Sequence, residues 1–327
     1  MKINESQIVS SWENKYSGPL VTVACTVYNH LQYIRKTLES LLSQQTDFPY
    51  EIIVHDDAST DGTTDIIKEY AEAYPHIIIP VIQTENQYSK GNWGHPKTIN
   101  PLIRGKYVAL CEGDDYWTDP YKLEKQISYM ESHSDCTMTF HAVNYVHNGK
   151  VIRNDRRSET ETDFTVQEII LGGGAFCATS SLCCRTDAYI QYPRFRKMAK
   201  IGDYPQQILM GLLGHVHYFP EIMGVYRFME QGSWTLEAYK YQGSVELYKL
   251  LVNQICWMAE LNCYTDYKYD EQISAQIETI MQEELMTRNQ EISRLQSVYK
   301  SASWRIGNFL IQPVHALKVI IEKLRKH

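Results

Sequence analysis

The sequence predicts an α/β fold with a mostly parallel central sheet, followed by a C-terminal helical extension. Two observations carry that expectation. Short β-branched apolar runs alternate with stripes of helical period over the first 130 residues. Three of those apolar runs end in polar pairs: Tyr28-Asn29, Asp56-Asp57 and Asp114-Asp115. Open parallel sheets bind ligands beyond the carboxyl ends of their strands, so these pairs define one candidate rim.

The elements follow in order. Residues 20–27, LVTVACTV, form the first strand. Ile34, Leu38, Leu41 and Leu42 recur at helical spacing. Residues 51–55 make a second strand, closed by Asp56-Asp57 and the turn-rich segment 58–62. A helix over residues 63–74 turns Ile66, Ile67, Tyr70 and Ala71 inward. A third strand covers residues 77–83, and residues 85–101, with Gly91, Gly94, Pro96 and Pro101, form a long polar loop. The fourth strand, residues 106–111, runs into Glu112-Gly113-Asp114-Asp115. Asp119-Pro120 then carries a cap-and-proline signature for a helix with Leu123, Ile127 and Met130 inward.

Composition excludes several classes. The chain has 327 residues and a formal net charge of −7, which argues against nucleic-acid binding. The first strand is followed by no G-x-G-x-x-G, and no G-x-x-x-x-G-K-[ST] occurs, so the usual glycine cradles for phosphate are missing. None of the eight cysteines forms a C-x-x-C pair. There is no signal-peptide pattern and no apolar run of spanning length. These features lead to the expectation of reduced thiols in a cytoplasm.

Without a glycine cradle, a diphosphate needs another source of positive charge. A hard divalent cation held by carboxylates supplies it, taking one or two carboxylates plus phosphate oxygens. Asp114 and Asp115 are neighbours at a strand end and point oppositely, so one of them is free to face the ion while the other holds a ribose hydroxyl.

At this point the sequence resembles the family 2 glycosyltransferases of the GT-A fold, over about residues 19–234. Residues 21–29, VTVACTVYN, resemble the family's opening strand, which implies that Tyr28 and Asn29 lie beside the donor. Residues 54–63, VHDDASTDGT, resemble its second motif, which implies that Asp57 binds the nucleobase. Glu112-Gly113-Asp114-Asp115 resembles its metal motif, implying that Asp115 ligates Mn²⁺ or Mg²⁺ and Asp114 contacts the ribose. Ile201-Gly202-Asp203 resembles the segment of the catalytic base, although the family usually shows Glu-Asp where this chain has Gly202-Asp203. As a residue type alone, Asp203 before Tyr204-Pro205 also suits a helix N-cap. Gly224-Val225-Tyr226-Arg227 and Gly232-Ser233-Trp234 resemble the segment after the base, implying donor contacts by Arg227 and Trp234.

The resemblance implies an inverting, metal-dependent transfer of a sugar from a nucleotide diphosphate, expected to be a UDP-sugar, to a saccharide or lipid-linked acceptor of bacterial surface polysaccharide synthesis. A catalytically degenerate sugar-nucleotide binding module and a sugar-1-phosphate nucleotidyltransferase are the rival readings. The expected organisation is an arm over residues 1–17 and a catalytic domain over residues 18–236. The latter divides into a nucleotide-binding half, 18–118, and an acceptor half, 119–236. A helical extension spans residues 237–300, whose pattern suits packing on the body and homodimer pairing alike. A basic amphipathic tail covers residues 301–327, with Trp304, Lys318, Arg325 and Lys326. That tail suits an anionic membrane surface, giving a peripheral location at the inner face of the cell membrane.

Overall fold

A computed structural model describes residues 4–12, 16–90, 98–229, 236 and 245–300. Trp234 and the tail 301–327 lie outside the described residues.

The described residues contain one sheet of ten strands: β1 Val21–Val27, β2 Tyr50–Asp56, β3 Ile78–Ile82, β4 Tyr107–Leu110, β5 Tyr116–Trp117, β6 Cys136–His147, β7 Lys150–Asp155, β8 Thr162–Phe164, β9 Cys183–Arg185 and β10 His215–Arg227. Their order is β3-β2-β1-β4-β9-β6-β10-β5, with β7 beside β6 and β8 beside β10. The first half is parallel: β1 pairs with β2 and β4, and β2 with β3. The second half is mixed. β9 runs antiparallel between β4 and β6, while β6 and β10 run parallel to each other. Two antiparallel steps through β9 therefore give β4 and β6 the same sense. The carboxyl ends of β1, β2, β4, β6 and β10 meet at one rim.

Helices cover both faces. On one face, Leu38 and Leu41 of helix Ile34–Leu42, Ile67 of helix Thr63–Ala73, and Leu123 and Ile127 of helix Lys122–Ser132 join Val23, Cys25 and Ile52. On the other, Ile169, Ile208 and Leu209 pack with Trp257 and Leu261 of helix Val245–Tyr264 and Ile273 of helix Asp270–Lys300. Burial of each such side chain contributes roughly 1.5–3 kcal/mol. The start of the extension thus shares the core of the α/β body. All eight cysteines are free, and six are buried. No helix among the described residues is long and apolar enough to cross a membrane.

One buried charge is unusual. Lys122 has no solvent exposure, its Nζ forms no hydrogen bond among the described residues, and it lies 4.0 Å from the centre of the Trp117 ring. Burial lowers its pKa to about 8 from 10.5. Between those two values the unfolded chain binds more protons, so stability from this group rises with pH across that window. Below pH 8 the penalty is complete, on the order of 3 kcal/mol, and exceeds the ~2 kcal/mol of a desolvated cation–π contact. Lys122→Met is therefore expected to raise the melting temperature at pH 7 by roughly 2–5 °C. A lower melting temperature would show that the ammonium contributes net stability.

Candidate active site

The turns that close the parallel strands are held by their own side chains. Asp56 accepts from the Ser59 amide at 3.0 Å and the Ser59 hydroxyl at 2.6 Å, and its other oxygen accepts from Thr64. Asn29 takes a left-handed backbone, φ 54°, which Asn tolerates better than most residues. Its side-chain oxygen accepts from the Thr60 amide at 2.8 Å, and its own amide donates to Ser59 Oγ at 2.9 Å. Asn29 thus fastens the β1 turn to the β2 turn. Tyr28, next to it, is exposed on the rim.

Asp57 lies just below the surface. Its two oxygens accept the backbone amides of Gln87 at 2.8 Å and Tyr88 at 3.1 Å, and its carbonyl accepts from the Asn86 side chain. The long polar loop is strapped across the end of β2 by these bonds. Each carboxylate oxygen keeps a second lone pair for an additional donor.

The turn after β4 sets the chemistry. Thr37, from the helix after β1, donates its hydroxyl to the carbonyls of Gly113 at 2.9 Å and Asp115 at 2.6 Å. The Asp115 side chain points inward and is 1% exposed. Its Oδ1 accepts the Arg227 backbone amide at 2.8 Å, and its Oδ2 is buried beside Ser180 without a well-formed hydrogen bond. Burial, and then the Asp114 charge, raise its pKa well above the usual carboxylate range. Glu112 and Asp114 are half-exposed, and neither carboxylate accepts a hydrogen bond among the described residues.

Asp203 opens helix Asp203–Leu213, whose N-cap is Gly202. The Thr179 hydroxyl donates to its Oδ2 at 3.2 Å. The Asp203 side chain is exposed to solvent, and the neighbouring protein removes part of its hydration. That crowding raises its pKa, against the opposing hydrogen bond from Thr179. Glu112 feels the same enclosure first and the Asp203 charge next, and its pKa rises well above normal. The Asp203 charge thus acts on Glu112, as do those of Asp114 and Asp115. Tyr226 of β10 borders this group, and burial followed by the Glu112 charge raises its phenol.

Asp115, the expected metal ligand, is enclosed here: one oxygen accepts the Arg227 amide and the other is buried. Of the two aspartates, Asp114 is the one exposed to solvent. Arg227, the expected donor contact, is enclosed as well. It is 9% exposed, and its guanidinium donates to the Asp114 carbonyl. That guanidinium lies between the rings of Tyr33 and Tyr116, 4.5 and 4.8 Å from their centres. Arg227 supports the acidic turn from behind. Arg227→Met is expected to destabilise the protein by about 2–4 kcal/mol, seen as a lower melting temperature. An unchanged melt with weakened UDP affinity would return Arg227 to the donor.

The residues do fit a hard divalent cation, though on different atoms. Glu112 and Asp114 are alternate residues, both half-exposed and both without hydrogen-bond donors among the described residues. No three His, Cys, Asp or Glu side chains among the described residues converge tightly enough to cage an ion alone. A Mg²⁺-type ion does not require that, because substrate phosphates complete its shell. Sequence reasoning passed over Glu112, Thr179 and Tyr226. Glu112 was within reach, since it opens the same acidic turn as Asp114.

A mixed sheet with a parallel first half, rather than the mostly parallel one expected, carries acidic turns on its carboxyl rim, as in the GT-A nucleotide-sugar transferases. Residues 22–191 match glycosyl transferase family 2, and the chain belongs to that family. An uncharacterized protein of Mycobacterium tuberculosis is 35% identical over 217 residues, covering 65% of this chain and 60% of the relative. The match thus spans three-fifths of that relative's length. The Escherichia coli protein WfaP is named a UDP-Glc:α-D-GlcNAc-diphosphoundecaprenol β-1,3-glucosyltransferase. It is 37% identical over 113 residues, 35% of this chain and 42% of WfaP. Among solved structures, residues 1–349 of Staphylococcus aureus TarS with UDP-GlcNAc superpose with a TM-score of 0.59 at 19% identity, covering 80% of this chain and 72% of that one. A mannosyltransferase of Pyrobaculum calidifontis, in complex with GDP-Man and Mn²⁺, gives a TM-score of 0.50 at 14% identity, covering 93% and 87%.

Proposed function

We infer that this glycosyltransferase moves a sugar with inversion from a UDP-sugar to a lipid-linked saccharide, assisted by Mn²⁺ or Mg²⁺. The observation that carries this reading is Asp203, a solvent-exposed carboxylate of raised pKa that accepts from Thr179 and whose charge acts on Glu112 in the acidic turn after β4. The names of WfaP and TarS support a UDP-sugar, and the name of WfaP supports a diphosphate-lipid acceptor. The Mn²⁺ named with the Pyrobaculum enzyme supports the cation.

In this reading Asp114 and Glu112 hold the cation, which when bound offsets charge on the departing diphosphate. Asp115 and Arg227 fix the turn that presents them. Asp57 accepts the N3–H of uracil, and Tyr28 and Asn29 border the nucleotide. Thr179 orients Asp203, whose free oxygen takes the proton of the attacking acceptor hydroxyl. Attack from the face opposite the leaving group inverts the anomeric centre. A carboxylate whose pKa is raised toward the working pH is a better base for that proton than an ordinary one.

A binding module without turnover would not need Asp203 in this recess. The direct test is UDP release from a panel of UDP- and GDP-sugars, with and without a GlcNAc-diphospholipid acceptor. Acceptor-stimulated UDP release is expected. Tight UDP binding with no release from any donor would favour the binding module. The tail 301–327 is assigned to an anionic membrane surface on its basic amphipathic pattern, giving a peripheral location at the inner face of the cell membrane.

A further inference from the structure

The β6–β7 hairpin leaves the sheet at the same rim as the catalytic carboxylates. β6 runs parallel to β10, with Val146 beside Arg227, and Arg227 grips the turn that holds Asp114. Its root joins the cleft wall: Tyr145 packs on Tyr226 at 4.8 Å and on Phe228 at 5.9 Å between ring centres. A two-residue turn at Asn148 and Gly149, with φ 50° and 73°, closes the ribbon. That turn type matches the twist of paired strands, so the projecting ribbon has a defined shape.

Its surface is both apolar and basic. β7 is exposed along nearly its whole length. Val151 is 55% exposed and Ile152 is 51% exposed. Val151 pairs with Val146 and Arg153 with Tyr145, which leaves Ile152 as an extra residue in a bulge. Bulges at sheet edges re-aim side chains. Residues 147–157 carry four cations, Lys150, Arg153, Arg156 and Arg157, against one carboxylate, Asp155, in a chain of net charge −7. Arg156 pairs with Glu159 and Arg157 with Asp155. Lys150 and Arg153 form no ion pair among the described residues, and Arg153 stacks 3.9 Å over Tyr145.

We propose that this hairpin is a membrane-docking element that seats the cleft rim on an anionic bilayer. Val151 and Ile152 enter the headgroup boundary, and Lys150 and Arg153 pair with lipid phosphates. Charge complementarity decides between this partner and a second copy of the chain. Lys and Arg on an edge strand oppose strand addition by another protein, whereas an anionic leaflet attracts each of them by about fivefold in partitioning. The surface is independent of which donor the cleft takes, and it extends the proposed function by bringing the rim to where a lipid-linked acceptor lies. Stable anchoring takes two weak signals, and the hairpin supplies one of them whatever the tail contributes.

The test uses the full chain with vesicles of phosphatidylcholine alone or mixed with phosphatidylglycerol, in the absence of donor. The wild-type chain is expected to float with the mixed vesicles and to do so far less with the neutral ones. K150E/R153E is expected to lower that binding by about 25-fold or more. V151S/I152S lowers it by about tenfold with an unchanged melting temperature. Amide exchange over residues 147–155 should slow on the mixed vesicles, a local readout the tail does not produce. Equal flotation of all three proteins, with no vesicle-dependent protection of the hairpin, would overturn the proposal. So would protection of the hairpin without vesicles, accompanied by a dimer in sedimentation that V151S/I152S abolishes.

Discussion

The Asp203→Asn variant is expected to turn over about 10²–10⁴-fold more slowly than the wild-type chain while keeping its affinity for UDP. The amide has nearly the shape of the carboxylate, so helix Asp203–Leu213 and the contact with Thr179 survive, and only proton acceptance is lost. The same carboxylate sets a pH signature. Enclosure raises its pKa, so it becomes protonated, and inactive as a base, at a higher pH than an ordinary aspartate. The acid limb of kcat should therefore fall with a midpoint above about 3.9. Full turnover in the variant, or an acid limb at the ordinary aspartate value, would remove Asp203 from the proton transfer.

Asp114→Ala and Asp115→Ala are expected to separate binding from folding. Asp114 is open to the cleft, and its loss removes a cation ligand with little effect on packing. UDP affinity measured calorimetrically with Mn²⁺ should fall by at least about tenfold, while the melting temperature stays near wild type. Asp115 is enclosed and accepts the Arg227 amide. Its loss leaves that buried amide without its partner and costs about 1–3 kcal/mol of stability. The reverse pattern, stability lost in Asp114→Ala and manganese-dependent affinity lost in Asp115→Ala, would restore the ion to Asp115.

The first half of the fold was legible because its signals are local. β1, β2 and β4 are buried along nearly their whole length around apolar residues such as Val23, Ile52, Ile53 and Val108, and their ends announce themselves in polar pairs. The second half was not, because its order depends on partners distant in sequence. The three-residue strand β9 carries no periodicity of its own. It exists through pairing with Ala109 on one side and Thr139 on the other.

The site divides in the same way. Asp57, Asp114 and Asp203 could be picked out by motif, and the structure leaves Asp114 and Asp203 open to solvent. The jobs of Asp115 and Arg227 could not be read, since they are set by Tyr33, Tyr116 and Ser180 from separate elements. Burial decides which of two adjacent aspartates faces out, and a dipeptide does not contain that information.

The central claim is that Glu112, Asp114 and Asp203 form the transfer site around a cation and a nucleotide diphosphate. Crystals grown with UDP and Mn²⁺, measured at a wavelength where manganese scatters anomalously, test it most directly. One strong peak is expected about 2.1 Å from an Asp114 oxygen, next to an ordered diphosphate. A manganese peak and an ordered diphosphate lodged elsewhere on the protein, with Asp114 and Glu112 bare, would contradict it.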